Sequence, residues 1–186
     1  MSTLVVLVLG AALAVYLVTL FNRLVKSRQL AEEGWSGIDV QLKRRADLVP
    51  NLVETVKGYA GHERALFDEI AELRTQVGRL ADGDVAGRGR MEGALSGALS
   101  RLMALAEAYP DLKASDNFLE LQTALASVED EIQMARRYYN GATRNLNILV
   151  ESFPSNLVAG AFGFATRDYF EIADADRAVP EVALGR

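Results

Sequence analysis

The sequence predicts an all-α protein: an elongated antiparallel helical bundle carried by an N-terminal transmembrane helix. Three observations point there. Thr3 to Phe21 contains no charged side chain. Residues 35–59 and 118–153 place apolar side chains at alternating steps of three and four, the period of an amphipathic helix. No segment alternates with period two for long enough to make a strand. The bundle reads as three long legs, with the middle leg, 62–108, fitting either one helix or two. The expected divisions are a transmembrane helix over 1–22, the bundle over 23–171, and a flexible C-terminal tail over 172–186.

At 1.5 Å per residue, the stretch from Thr3 to Phe21 nearly spans a hydrocarbon core of roughly 30 Å. A cleaved signal peptide is the rival reading, since Ala12-Leu13-Ala14 resembles a small-x-small site. No basic region precedes the run, and the apolar stretch continues to Phe21, so the span is preferred. Arg23, Lys26 and Arg28 crowd its C-terminal flank, while no Lys or Arg lies on the other side. The positive-inside rule then places the N-terminus outside and the helical domain in the cytoplasm. In a bacterium this is the inner membrane, and the three basic residues are expected to meet lipid headgroups.

The next helix carries Trp35, Ile38, Leu42, Val49, Leu52, Val56 and Tyr59 on one seam, and Arg45 fills the one gap. Phe21, Leu24, Arg28 and Ala31 keep the same phase, so the membrane helix and this helix are expected to form one rod, weakened locally at Gly34 and Gly37. Pro50 has no N–H to donate, so a bend is expected there. Gly58 and Gly61 suit the C-cap. A second helix is expected from about His62, with the stripe Leu66, Ile70, Leu73, Val77 and Leu80. The glycine-rich 82–89 segment reads as a loop or a weakened helix. A third stripe is Met91, Leu95, Ala98, Leu102, Leu105 and Tyr109, stopped at Pro110. The last helix has the longest seam: Phe118, Leu121, Leu125, Val128, Ile132, Ala135, Tyr139, Ala142, Leu146, Leu149 and Phe153. Asn117 and Glu120 offer it a capping box, and Pro154 ends it. The short segment beyond is aromatic (Phe162, Phe164, Tyr169, Phe170).

Composition narrows the function. A chain of 186 residues, half of them apolar, suits one folded domain with a real core. A net charge of −5 argues against a nucleic-acid partner. The absence of cysteine excludes disulfides and thiolate metal sites. One histidine cannot supply the paired Glu-x-x-His motifs of a di-iron bundle. Gly87-Arg88-Gly89 lacks the Gly-Lys-Ser/Thr ending of a phosphate loop.

Several blocks of residues resemble the LemA family. The first is Trp35, Ile38-Asp39-Val40, Leu42-Lys43-Arg44-Arg45, Asp47-Leu48, Pro50-Asn51-Leu52-Val53 and Val56-Lys57. The second is Tyr109-Pro110-Asp111-Leu112-Lys113, Phe118, Leu121-Gln122 and Glu129. The third is Ala135-Arg136-Arg137-Tyr138-Tyr139-Asn140, with Phe153-Pro154-Ser155-Asn156 and Tyr169-Phe170 after it. The resemblance covers Trp35 to Glu171. It implies a small bacterial protein with one membrane helix and an antiparallel helical domain, in a family with no agreed biochemical activity. One branch of that family takes part in building magnetosome membranes.

No catalytic, cofactor or metal residue stands out. The structural and interaction candidates are Trp35, Arg45, Pro50, Glu129, Arg136, Arg137 and Asn140. Arg45 reads as a buried charge paired with an acid of the last helix, with Glu129, Asp130 or Glu131 in reach. A charge lining an internal site is the sharper but less favoured reading. Asp39, Lys43 and Asp47 form i,i+4 pairs on a solvated face. The aromatic C-terminal segment is expected to cap the bundle end, with contact to the membrane or a partner as the alternative. Counting legs decides between them: two short helices in 62–108 would return the last helix towards the lipid. The expected function is non-enzymatic, a membrane-tethered scaffold or adaptor without a cofactor. Its partners would be the lipid bilayer and a second copy of the chain or another membrane protein.

Overall fold

The computed structural model describes residues 1–80 and 83–171. Helix is the regular structure of the described residues, and no strand occurs among them. Among the described residues six helices follow in order: α1 (Ser2–Lys57), α2 (Arg64–Arg79), α3 (Val85–Glu107), α4 (Pro110–Lys113), α5 (Asp116–Glu151) and α6 (Ser155–Phe162). The expected 172–186 tail lies outside the described residues. Contacts divide the chain into two units, one of residues 1–47 with 124–169, the other of 48–123 with residues from Phe170 onward.

α1 is one uninterrupted helix of 56 residues that stays helical through Pro50. It stops where the sequence gains Gly58. Lys57 in the last turn faces the negative end of the helix dipole. The bonds Tyr59 N to Val56 O (3.0 Å) and Ala60 N to Val56 O (2.9 Å) close the end. That ending moves one expected core residue. Past Lys57 the helical phase no longer holds, so Tyr59 is exposed and Ala60 takes the buried seat.

In the first unit, the apolar stripe of α1 meets that of α5. Ala31 packs with Ala142 and Leu146, Trp35 with Tyr139, and Arg45 with Glu129. One set of numbers rises as the other falls, so the two helices run antiparallel here. They approach closely at Gly34, where a Cβ would lie 2.9 Å from Tyr139 Cα. The glycine expected to weaken the rod is therefore the residue that lets α5 in. α5 ends at Glu151, short of the expected stop. Phe153 thus leaves the seam and is 80% exposed.

In the second unit, 62–108 is two helices. Between them Gly83 has φ +97°, a conformation that side chains with a Cβ resist. Asp84 then caps α3, its Oδ1 accepting from Gly87 N at 2.8 Å. Residues 85–89 of the glycine-rich segment are consequently helical rather than loop. α2 begins at Arg64, two residues after His62, which lies in the preceding turn. Phe67, Ile70 and Val77 form the buried face of α2. On α3 the buried stripe is Leu95, Ala98, Leu99, Leu102 and Ala106, with the carboxylate residue Glu92 also buried. Met91 and Leu105, expected in that stripe, are only half-buried. Arg101, late in α3, pairs with Glu69, early in α2, as antiparallel neighbours joined by a short connection would. Asn117 falls inside the first turn of α5, so it does not cap that helix. Its side-chain amide donates to Thr55 Oγ1 at 3.4 Å.

Candidate membrane-interface site

Among the described residues, one helix is long and apolar enough to cross a membrane, and its apolar N-terminal portion is almost wholly uncovered by protein. Large side chains such as Leu7, Leu9, Leu13 and Val15 project outward there. Protein cover begins at Leu20 and Leu24, which are buried with Val158 and Ala159 of α6 and with Phe164. Phe21 meets the Phe162 ring edge-on at 4.9 Å and the Phe164 ring at 5.8 Å. α6 therefore sits beside the end of the apolar stretch, with its own outer face bare: Leu157 and Phe162 are each 63% exposed. Between α6 and α1 lies a cavity of about 500 Å³ lined by Leu17, Val18, Phe21, Leu157, Val158, Ala161 and Phe162. Every lining residue is apolar.

The flanking cations divide by surroundings. Arg23 and Lys26 are exposed, whereas Arg28 is half-buried, with its guanidinium carbon 5.0 Å from the Phe164 ring centre. A cation so placed is attracted by the ring face, so Arg28 holds the aromatic segment as well as lying near the apolar stretch.

Beyond α6 an extended strap, residues 164–169, is bound back onto the first unit. Asn147 grips the backbone of one residue with both ends of its amide: Nδ2 donates to Arg167 O and Oδ1 accepts from Arg167 N, each at 2.9 Å. Arg167 Nη2 reaches Glu32 Oε1 at 2.7 Å. The Tyr139 hydroxyl donates to Asp168 O at 2.8 Å. Burial pushes the Tyr139 phenol above its ordinary value, against the opposing pull of Thr143 and Arg167.

Each expected residue can now be placed. Arg45 is completely buried, and its Nη1 donates to Glu129 Oε1 at 2.8 Å, while the Glu129 side chain is 34% exposed. Trp35 is half-buried against Tyr139, ring centres 5.5 Å apart. Pro50, Arg136 and Asn140 are half-buried and Arg137 is exposed. Arg45, Glu129, Trp35 and the α5 residues belong to the first unit. Pro50 belongs to the second. The sequence reading missed Asn147, Arg167, Glu32 and the buried Glu92. Asn147 follows the seam residue Leu146, and nothing in helical periodicity points to a peptide 20 residues on. Among the described residues no group of three His, Cys, Asp or Glu side chains gathers to hold a metal.

A model of the LemA family matches residues 34–184. The chain is 29% identical over 176 residues to magnetosome protein MamQ 2 of Paramagnetospirillum magneticum, an alignment covering 81% of this chain and 64% of that protein. It is 25% identical over 174 residues to magnetosome protein MamQ of Magnetospirillum gryphiswaldense, with the same two coverages. Protein LemA of Metamycoplasma hominis is 26% identical over 156 residues, 84% of this chain and 71% of that one. The match thus takes in slightly less than two thirds of the magnetosome relatives' length. None of these names is that of an enzyme.

Proposed function

We propose, from the premise that this chain belongs to the LemA family, that it is a non-enzymatic single-pass scaffold which self-associates at the bacterial inner membrane. The bare apolar portion of α1 anchors it in the bilayer. With Arg23 and Lys26 on the inner side, the N-terminus faces outward and the helical domain lies in the cytoplasm. Neither nucleic acid nor a cofactor enters this reading.

One observation carries the self-association. Met134, Tyr138 and Ile148 of α5 are half-exposed, and at 3.6 residues per turn they fall within an arc of about 80°. Gly141 lies inside the same arc, with open space where a Cβ would be. Exposed Asn145 is the polar residue of that arc, and a mainly apolar stripe with a small residue near its centre lets a second helix approach closely. The test is native purification in mild detergent, with the mass measured and companion chains identified. Self-association predicts a homo-oligomer whose mass drops to that of the monomer on Tyr138→Glu. A strict monomer at micromolar concentration refutes it. A stoichiometric foreign membrane protein, such as a protease or transporter, would instead identify a regulatory adaptor. Protease protection in sealed vesicles checks the orientation.

A further inference from the structure

α6 differs from α1 in length and setting. Its eight residues rise about 12 Å, too short to cross a bilayer. No charged side chain occurs between Glu151 and Arg167, a stretch that includes the bare Phe153, Leu157 and Phe162. Such a face is costly in water and suits the boundary between headgroups and acyl chains. The position along α1 agrees. Phe162 contacts Phe21, at the end of the charge-free run, and the cavity beneath α6 reaches back to Leu17. Four residues of helix make about 6 Å, within the 5–10 Å to which interfacial helices sink. The cavity is continuous with the lipid-facing surface, since Leu17 and Val18 belong to the uncovered apolar stretch. Its lining offers no hydrogen-bonding side chain, which excludes a polar ligand.

We infer that α6 lies in the plane of the membrane, sunk into the leaflet that Arg23 faces, and that the cavity between it and α1 holds a phospholipid acyl chain. This inference rests on the reading of α1 as a membrane span. The chain then has two attachments to one leaflet, a span and a surface helix, joined through the Leu20, Leu24 and Val158 cluster.

The chain contains no cysteine, so single introduced thiols can be labelled uniquely. Leu9→Cys, Val40→Cys, Leu157→Cys and Ala161→Cys variants of the full chain, Val40 being 62% exposed and well beyond the apolar stretch, are reconstituted in liposomes of phosphatidylethanolamine and phosphatidylglycerol. Nitroxide labels are read for collision with oxygen and with a water-soluble nickel chelate. Bimane at position 161 is read for quenching by lipids brominated on the acyl chain. Position 157 is expected to favour oxygen to a degree between position 9, deeper in the bilayer, and position 40, which favours nickel, and the 161 label is expected to be quenched by the brominated lipid. Nickel access at 157 equal to that at 40, with 9 still shielded, overturns this inference and leaves the anchor reading intact. Nickel access at 9 overturns both. Shielding of 157 with spin–spin broadening that disappears when unlabelled chain is added marks a second copy of the chain as the cover, and equally overturns the lipid assignment. Absence of bromine quenching at 161 removes the acyl chain from the cavity.

Discussion

Gly34→Ala and Gly37→Ala form a matched pair. Both residues lie in the same helix, three positions apart, and alanine at an exposed helical position is favoured over glycine by about 0.5–1 kcal/mol. Their surroundings differ. A Cβ on Gly37 meets nothing within 4 Å. A Cβ on Gly34 would lie 2.9 Å from Tyr139 Cα, 3.1 Å from Tyr138 Cδ1 and 3.3 Å from Tyr138 Cε1. Carbon atoms in good contact sit about 3.5–4.0 Å apart, so α1 and α5 must part by roughly 0.6–1 Å, and the nearest atom is backbone that cannot rotate away. Overpacking of this kind costs about 1–3 kcal/mol. Because the propensity gain is common to both variants, their difference isolates that cost: Gly37→Ala should be stabilised, and Gly34→Ala should fall about 1–3 kcal/mol below it. At 2–4 °C per kcal/mol for a chain of this size, the melting temperatures should differ by roughly 2–12 °C. Helix signal in detergent against temperature measures this. Trp35, the only tryptophan, packs against Tyr139 with the rings tilted by 57° and gives an independent reading, since its emission should shift in Gly34→Ala alone. Equal stabilisation of the two variants would sink the close-approach argument.

Three further outcomes follow from the first unit. Glu129→Ala removes a charged partner from a fully buried arginine and should cost about 1.5–3 kcal/mol. Arg45→Met should cost less, because Glu129 is partly exposed and can be solvated, while methionine keeps most of the volume; equal, small shifts in melting temperature would refute the pairing. The raised Tyr139 pKa means that the folded chain keeps a proton the unfolded chain releases above pH 10. Stability from this group is therefore full below about pH 10 and is lost as pH rises towards the folded value. Tyr139→Phe should flatten that alkaline decline and cost about 0.5–1.5 kcal/mol at neutral pH through the lost bond to Asp168 O, and alkaline melts of the two proteins would compare them. Asn147→Ala deletes both bonds to the Arg167 backbone, so hydrogen exchange at the Arg167 amide should quicken and trypsin should cut after Arg167 sooner; unchanged rates would mean the strap is held elsewhere.

The readable parts of this chain are those in which neighbours along one helix report on each other. The seam of α5 and the stop of α1 at Gly58 follow from periodicity and one glycine. Arg45 was conspicuous as a charge occupying an apolar seat, and the acids on α5 were its natural partners. Periodicity fails at helix ends, where the 100° step stops: Tyr59 and Phe153 both lie just past an end and both turn outward. In α3, weak amphipathicity let the true stripe take in Glu92 and leave out Met91. α6 and the strap were legible only as an aromatic, uncharged stretch, because bonds from Asn147 and Tyr139 to main-chain atoms leave no repeat in the sequence. The two-legged outcome for 62–108 depended on Gly83 and Asp84, a turn that residue spacing alone leaves open.

The antiparallel meeting of α1 and α5 has a consequence for synthesis. The chain emerges from the ribosome N-terminus first, so α1 can enter the bilayer while its partner is still unmade. Arg45 and Glu129 are 84 residues apart, and at 5–20 residues per second that is a wait of about 4–17 s. Arg167 reaches Glu32 across 135 residues, a longer interval still. During this time the seam of α1 is an open apolar strip with a cation in it, held at the membrane surface. The nascent chain is thus most vulnerable to aggregation and proteolysis between insertion of its first helix and completion of its fifth, and a translational pause placed in that interval should lower its yield more than one placed after residue 151.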